Sequence, residues 1–463
     1  MTSVPAANPP AVGVRPLLAL AMPVVLARST QAVIGVTDAY MVASLGRDAL
    51  TATTTGAVNT LIAIMLPMAT VVIVQSFVAQ LVGKGQAGET RRYAWYALGL
   101  ALAAGLVALL VLPLVRPVLG SLGYDPVVER LMGDYILIRL SSTAAAVGTE
   151  ALGNWFGGHG NTRVQMWAGV ITMVVNVAGC WLLIEGHGGA PALGVAGSAL
   201  AAVIATWTGF AYALVVFLRH GGGVPRSTTP ARWRWGELRR MLHFGLPNGV
   251  NWFLEFGAFG LFLNVAVGEL GTATLGALNV VIQVNSVAFM PAFGVATAGA
   301  ILAGQTIGAG AHDRVWSIVK LALTISAVWM VAVGLVYTMI PDVVMRLFVA
   351  TDEVDPEALV RVGAPMLALS AAWQLFDATA MTLAETLRAA GDTAWCMKAR
   401  VVLAWFVFVP SALLVVFVFH LGSLATIGCL IGYLALLAAA MVWRYRTGAW
   451  RAIDLTGREP ELV

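Results

Sequence analysis

Four polar side chains stand in stretches that otherwise read as oil: Asp38 in "QAVIGVTDAYMV", Asn176 in "MVVNVAG", Glu255 in "NWFLEF" and Asp377 in "WQLFDATA". A carboxylate in such surroundings is costly. It is retained where it holds a proton or a small hard cation, or attracts an organic cation. Glu255 and Asp377 are the sharpest pair. Measured from the basic ends of their spans, Glu255 lies about 17 residues, roughly 26 Å, along its helix, and Asp377 about 13 residues, roughly 20 Å, along its own. Two carboxylates at matching depth repel each other until a positive charge comes between them. No Lys or Arg is expected at that depth, so the pair is expected to hold a proton or a small hard cation, or to attract an organic cation. Asp38 is the counterpart in the first half. Arg28 shares its helix, but ten residues make about 15 Å of rise, too far for a direct pair. Asn176 is the expected neutral partner, as a site ligand or as an interhelical hydrogen bond. Asp134 and Arg139, near one end of their span, are expected to pair with each other. Gln31, Asn248, Asn251, Gln283, Asn285 and Gln374 divide between helix glue and cleft lining.

Helices must place these groups. Of 463 residues, 59% are hydrophobic and 11% charged, with mean hydropathy +0.85; soluble domains carry about 25% charged residues. Apolar runs of about twenty residues recur from end to end, each able to cross a bilayer core of about 30 Å. The expected fold is an all-α polytopic membrane protein with twelve spans, near 17–45, 50–82, 93–115, 128–158, 163–185, 192–218, 238–267, 272–307, 314–340, 356–390, 395–419 and 422–443. With the N-terminus cytoplasmic, the outer segments and helix ends hold only Arg47, Arg116, Arg130, Arg139, Arg346 and Arg361. That bias puts both termini and the basic Arg219–Arg240 loop on the cytoplasmic side of the cell inner membrane. The organisation that follows is a leader at 1–14, a first lobe at 15–218, a linker at 219–237, a second lobe at 238–445 and a tail at 446–463. The leader lacks the charged start of a cleavable signal. Cys180, Cys396 and Cys429 lie in apolar runs and match no metal or disulfide framework. The net charge of +4 bears on topology rather than on nucleic acid.

The chain repeats itself at about 225 residues. "LALAMPVVL" around Pro23 returns as "MLHFGLPNGV" around Pro247, "VASLGRDALTA" as "VGELGTATLGA", and "IMLPMATVV" as "AFMPAFGVA". "AQLVGKGQ" returns as "GQTIGAGA", and "GNWFGGHGNTR" as "AETLRAAGDTA". Six spans per copy keep the second in the orientation of the first, a parallel repeat suited to alternating access. The repeated Gln-x-x-Gly-x-Gly reads as a helix C-cap. No strand precedes it and no Lys-Ser/Thr follows, so it is not a phosphate loop.

The sequence has no nucleophile elbow, HExxH or Walker A, which leaves enzyme chemistry unsupported. Without a nucleotide motif, energy must come from an ion gradient or the solute's own gradient. Taken with "ALGVAGSALA", "FGLPNGVNWFLEF" and "WQLFDATAMTLAETLRAAGDT", these stretches resemble the multidrug and toxic compound extrusion (MATE) transporters over residues 15–445. The resemblance implies cation-coupled export of organic, often cationic, compounds, with Na+ or H+ as coupling ion and no further cofactor. It implies Asp38 and Asn176 as coupling residues of the first lobe, and Glu255 and Asp377 as those of the second, the latter pair typical of the branch with sodium-coupled members. Two positions depart from the family pattern. Cys180 replaces a second Asp or Asn four residues after Asn176, which leaves the first-lobe site short of a ligand. Trp373, expected to line the cleft, replaces a Tyr found in some sodium-coupled relatives. The rival reading is a lipid-linked oligosaccharide flippase of the same broad fold, for which Arg28 and Arg139 are the only basic residues able to meet a pyrophosphate. The expected partners are small organic cations and membrane lipid, with the protein a monomer.

Overall fold

The computed structural model describes residues 12–219, 233–348 and 356–457. In chain order the helices are α1 (Val14–Ala43), α2 (Arg47–Gly83), α3 (Ala87–Gly120), α4 (Pro126–Leu140), α5 (Thr143–Gly158), α6 (Arg163–Ile184), α7 (Val195–Leu218), α8 (Trp235–Val267), α9 (Thr272–Gly308), α10 (His312–Met339), α11 (Pro341–Phe348), α12 (Pro356–Ala390), α13 (Thr393–Val418) and α14 (Ser423–Thr447). Eleven of these are long and apolar enough to cross a bilayer, and α4 with α5 makes the twelfth span. Each expected span falls on one helix or on this pair. The break between α4 and α5 has a local cause. Ser141, Ser142 and Thr143 turn their hydroxyls back onto the carbonyls of Ile138, Arg139 and Leu140 at 2.6 to 2.8 Å, which competes with the helical ladder.

The repeat is visible in the backbone. Gly85 and Gly310 both take a left-handed φ, 75° and 76°. At both, the following amide closes onto the carbonyl five residues earlier, Gln86 onto Leu81 and Ala311 onto Thr306. This is the Schellman closure that the Gln-x-x-Gly-x-Gly motif predicts. The Gly160 and Gly391 turns match in the same way.

Two compact units form. They do not divide at the 219–237 linker expected from the sequence. The first groups Leu26–Gly249; the second groups the described residues up to Val25 with those from Val250 on. Both boundaries fall inside a helix, three residues past Pro23 and Pro247. In the first unit the start of α8 is held on α3, where Arg92 Nε meets Glu237 Oε2 at 2.9 Å and the Tyr96 hydroxyl donates to the same carboxylate at 3.1 Å. Small residues let helices close up, as they must where lipid removes the hydrophobic drive. On α7, a Cβ at Gly197 would stand 2.3 Å from the Leu183 carbonyl oxygen of α6.

Two features have no counterpart in the sequence reading. α11 is a short helix with apolar side chains left exposed. Residues 262–267 of α8 and 403–408 of α13 are π-helical, a departure that recurs near functional sites. Most of the basic loop, residues 220–232, lies outside the described residues, as do 1–11 and 458–463.

Candidate functional site

In the second unit, α8, α12, α13 and α14 bring Glu255, Asp377, Arg400 and Tyr433 together. Arg400 Nη1 donates to Glu255 Oε2 at 2.7 Å, and the Tyr433 hydroxyl donates to Oε1 at 3.3 Å. The expectation that no basic residue reaches this depth is corrected here. Arg400 stands seven residues into α13, about 10 Å along it, and its long stem carries the guanidinium further. Asp377 makes no hydrogen bond or ion pair among the described residues, yet lies within electrostatic reach of both Glu255 and Arg400. With both acids ionised the chamber holds two negative charges and one positive, a net −1. The Trp405 indole donates to the Leu254 carbonyl at 3.1 Å, which fixes the α8–α13 register beside Glu255. Trp405 itself lies in the π-helical stretch of α13, whose Phe408 packs on Phe262 at the start of the α8 stretch with ring centroids 4.8 Å apart.

The first unit has a second polar cluster. Asp38 is 9% exposed and accepts the Cys180 thiol at 3.3 Å. Cys180 therefore supplies a donor at a position where an acid or amide would offer a ligand oxygen. Asn176, one turn earlier on α6, stands beside Asp38. Its amide N and O are buried and meet no partner at hydrogen-bonding geometry among the described residues. Arg139 of α4 lies within electrostatic reach of Asp38, with Nε and Nη1 buried and likewise unpartnered. Arg139 does not pair with Asp134, contrary to expectation. Five residues turn a helix by about 140° beyond a full circle, so the two side chains diverge and Asp134 takes Arg116 at 2.8 Å. Arg28 pairs with Glu150 at 3.0 Å rather than with Asp38. Counting Asp38 against Arg139, the first cluster is neutral.

The remaining polar positions separate. Gln31 and Gln283 are exposed. Asn251 is buried, with its carbonyl oxygen unpartnered among the described residues. Gln374 donates to Asn285 at 2.8 Å, and Asn285 donates to Ser370 at 3.2 Å, so these residues bind α9 to α12. Asn248 donates to the Ala69 carbonyl at 2.7 Å. Trp373 is buried in the apolar core of the second unit, where an indole contributes a large apolar surface. The sequence reading missed Arg400, Tyr433 and the first-unit role of Arg139. One signal for Tyr433 was available: a lone Tyr in the apolar run "IGYLALL" needs a partner for its hydroxyl.

Comparison with known proteins follows the same lines. The MatE family model matches residues 23–182 and 253–414, one stretch in each repeat. The multidrug resistance protein NorM of Burkholderia vietnamiensis is 27% identical over 429 residues, covering 92% of both chains. A probable multidrug resistance protein NorM of Rhizobium meliloti is 28% identical over 439 residues, covering 93% of this chain and 92% of that one. A solved outward-facing structure of a multidrug resistance MATE family transporter of the MOP superfamily shares the fold. It superposes with a TM-score of 0.85 at 19% identity, over 95% of this chain and 97% of that one. The chain is a polytopic membrane protein and belongs to the MatE family, the multidrug and toxic compound extrusion transporters its sequence resembles.

Proposed function

We propose that this chain exports small organic compounds, cationic ones foremost, in exchange for an inward-moving cation, and that the chamber of Glu255, Asp377, Arg400 and Tyr433 holds that cation. One observation carries the reading: Asp377 presents a carboxylate with no hydrogen bond among the described residues, next to a Glu255 already held by Arg400 and Tyr433. A net charge of −1 suits one monovalent cation. The neutral Asp38–Arg139 cluster has no such deficit, so coupling is assigned to the second unit. Binding the cation at Asp377 removes the charge that would otherwise hold an organic cation, and loss of the cation restores it. Exchange then follows from differential affinity in the two states. Na+ requires several oxygen ligands; Arg400 occupies one Glu255 oxygen and Trp373 offers none. A proton requires Asp377 alone, so H+ is the favoured ion. The multidrug resistance names of the NorM relatives fit export of organic compounds. In this reading the protein works as a monomer in the cell inner membrane, with both termini cytoplasmic.

The test is ethidium efflux in a pump-deficient host at matched membrane expression. Asp377→Asn and Glu255→Gln should fall to the empty-vector rate. Dissipating the pH gradient should stop wild-type efflux, and withdrawing Na+ should not. Wild-type rates in both single variants and the double variant would overturn the assignment.

A further inference from the structure

Building on the reading of the second-unit chamber as the cation site, we infer that the ring stack of Phe262, Phe408 and Tyr433 is the outer seal of that chamber, and that the π-helical turns carrying two of its rings are the hinge by which it opens. Phe408 is the middle ring, with its centroid 4.8 Å from that of Phe262 and 5.1 Å from that of Tyr433. All three residues are buried. Their faces offer a cation no oxygen to replace its water, so it passes only when the rings part.

The stack stands directly beyond the acids. Phe262 lies seven residues past Glu255 on α8, and Phe408 eight residues past Arg400 on α13, both away from the basic ends of their helices. That is about 10–12 Å further along, on the outer side in the orientation that the Lys/Arg bias favours. Tyr433 joins the two levels. Its ring lies on Phe408, while its hydroxyl donates to Glu255 Oε1 at 3.3 Å. Phe408 thereby also serves as a positioning residue for the hydroxyl that holds Glu255.

Ring pairs occur in many cores as packing alone. Here both helices leave the α register at the rings, and each has a neighbour that loosens the ladder. On α8, residues 262–267 are π-helical. The Asn264 side-chain amide donates to the Gly260 carbonyl at 2.8 Å, the acceptor that the Asn264 backbone N–H would use in an α-helix. On α13, residues 403–408 are π-helical. Pro410, two residues on, brings no N–H and crowds the carbonyl four residues before it. Recovering the α register would turn one helix segment against the next by about 100°, enough to carry one ring off the other. The matching helices of the first repeat, α1 and α6, contain no π turn. Aligned on Pro23 and Pro247, Phe262 stands where the first repeat has Asp38. The second repeat thus carries a ring at the place where the first carries its acid.

Thiol labelling of the reconstituted full chain, in a background without native cysteines, tests this. Ala258 is buried between Glu255 and Phe262 on α8. Ala258→Cys should react slowly with a charged methanethiosulfonate added from outside. Adding Phe408→Ala should raise that rate about 10-fold, the scale on which one lost aromatic pair shifts an opening equilibrium. Phe408→Leu, which keeps the apolar bulk, should stay within about 2-fold of the parent. Pro410→Ala restores an N–H and favours the α register. It should raise the rate while leaving the melting temperature undiminished, a combination that misfolding would not produce. Efflux retained by Asp377→Asn would remove the cation reading and leave these rates in force, so the two claims fail separately. A labelling rate that Phe408→Ala leaves unchanged, or a parent rate in Pro410→Ala, would overturn the seal.

Discussion

In the proposed coupling, Arg400 sets how many cations the second-unit chamber accepts. It compensates Glu255 and leaves Asp377 bare. Replacing it with Gln raises the chamber to a net −2. The cation should then bind more tightly and leave more slowly, so that Arg400→Gln lowers efflux while raising cation affinity, read from Trp405 fluorescence on ion titration. A drop in cation affinity would contradict the charge count. The first unit offers the converse. Cys180→Asp should bring the neutral Asp38–Arg139 cluster to −1 and create a second cation site, measured as a second binding step. Glu255, Asp377, Asp38 and Asn176 were legible in the sequence because a polar group in a long apolar run is conspicuous. Arg400 was not, since assigning charges by segment ignores a side chain that reaches several ångströms beyond its own Cα.

Helix packing at the α6–α7 contact leaves no room for a methyl at Gly197, where the obstacle is the Leu183 backbone oxygen itself. Gly197→Ala should lower the melting temperature in detergent, with a cost of about 1–3 kcal/mol typical of overpacking. At the α5–α6 corner, outside the spans, His159 meets Thr90 Oγ1 at 2.9 Å, and the Trp155 indole donates to the Thr90 carbonyl at 3.0 Å. Burial pushes His159 down to about 4. The unfolded chain takes up this proton near pH 6.5, before the folded chain does. Stability from a neutral His159 is therefore complete above pH 6.5 and is lost as pH falls from there towards 4, on the order of 3 kcal/mol across the window. Melting from pH 7.5 to 4 should show that loss in wild type, and His159→Gln should flatten it. The spans and the repeated glycine turns were legible because periodic apolarity and left-handed backbone leave residue-type signatures. The π-helical stretches were not: they are a change in hydrogen-bond register within runs such as "LAWFVF" that any apolar helix could carry.

At the scale of the whole chain, the repeat was legible and the unit boundaries were not. A linker shows itself by composition. The boundaries at Leu26 and Val250 lie inside α1 and α8, where the apolar pattern continues and only Pro23 and Pro247 mark a place where the helical ladder loses a bond. The Lys/Arg bias makes a direct topological prediction. In a background without native cysteines, Ser121→Cys should react with an impermeant maleimide added to intact cells, and Gln86→Cys should react only after the cells are opened. The central claim, that Asp377 holds the coupling cation, is most directly tested by cation release from the purified protein. An organic cation added to weakly buffered wild type should expel about one cation per chain, seen with a pH indicator for H+ and an ion electrode for Na+. Asp377→Asn should expel none, while Asp38→Asn expels as wild type does. Undiminished release from Asp377→Asn, with loss in Asp38→Asn, would contradict the account and move coupling to the first unit.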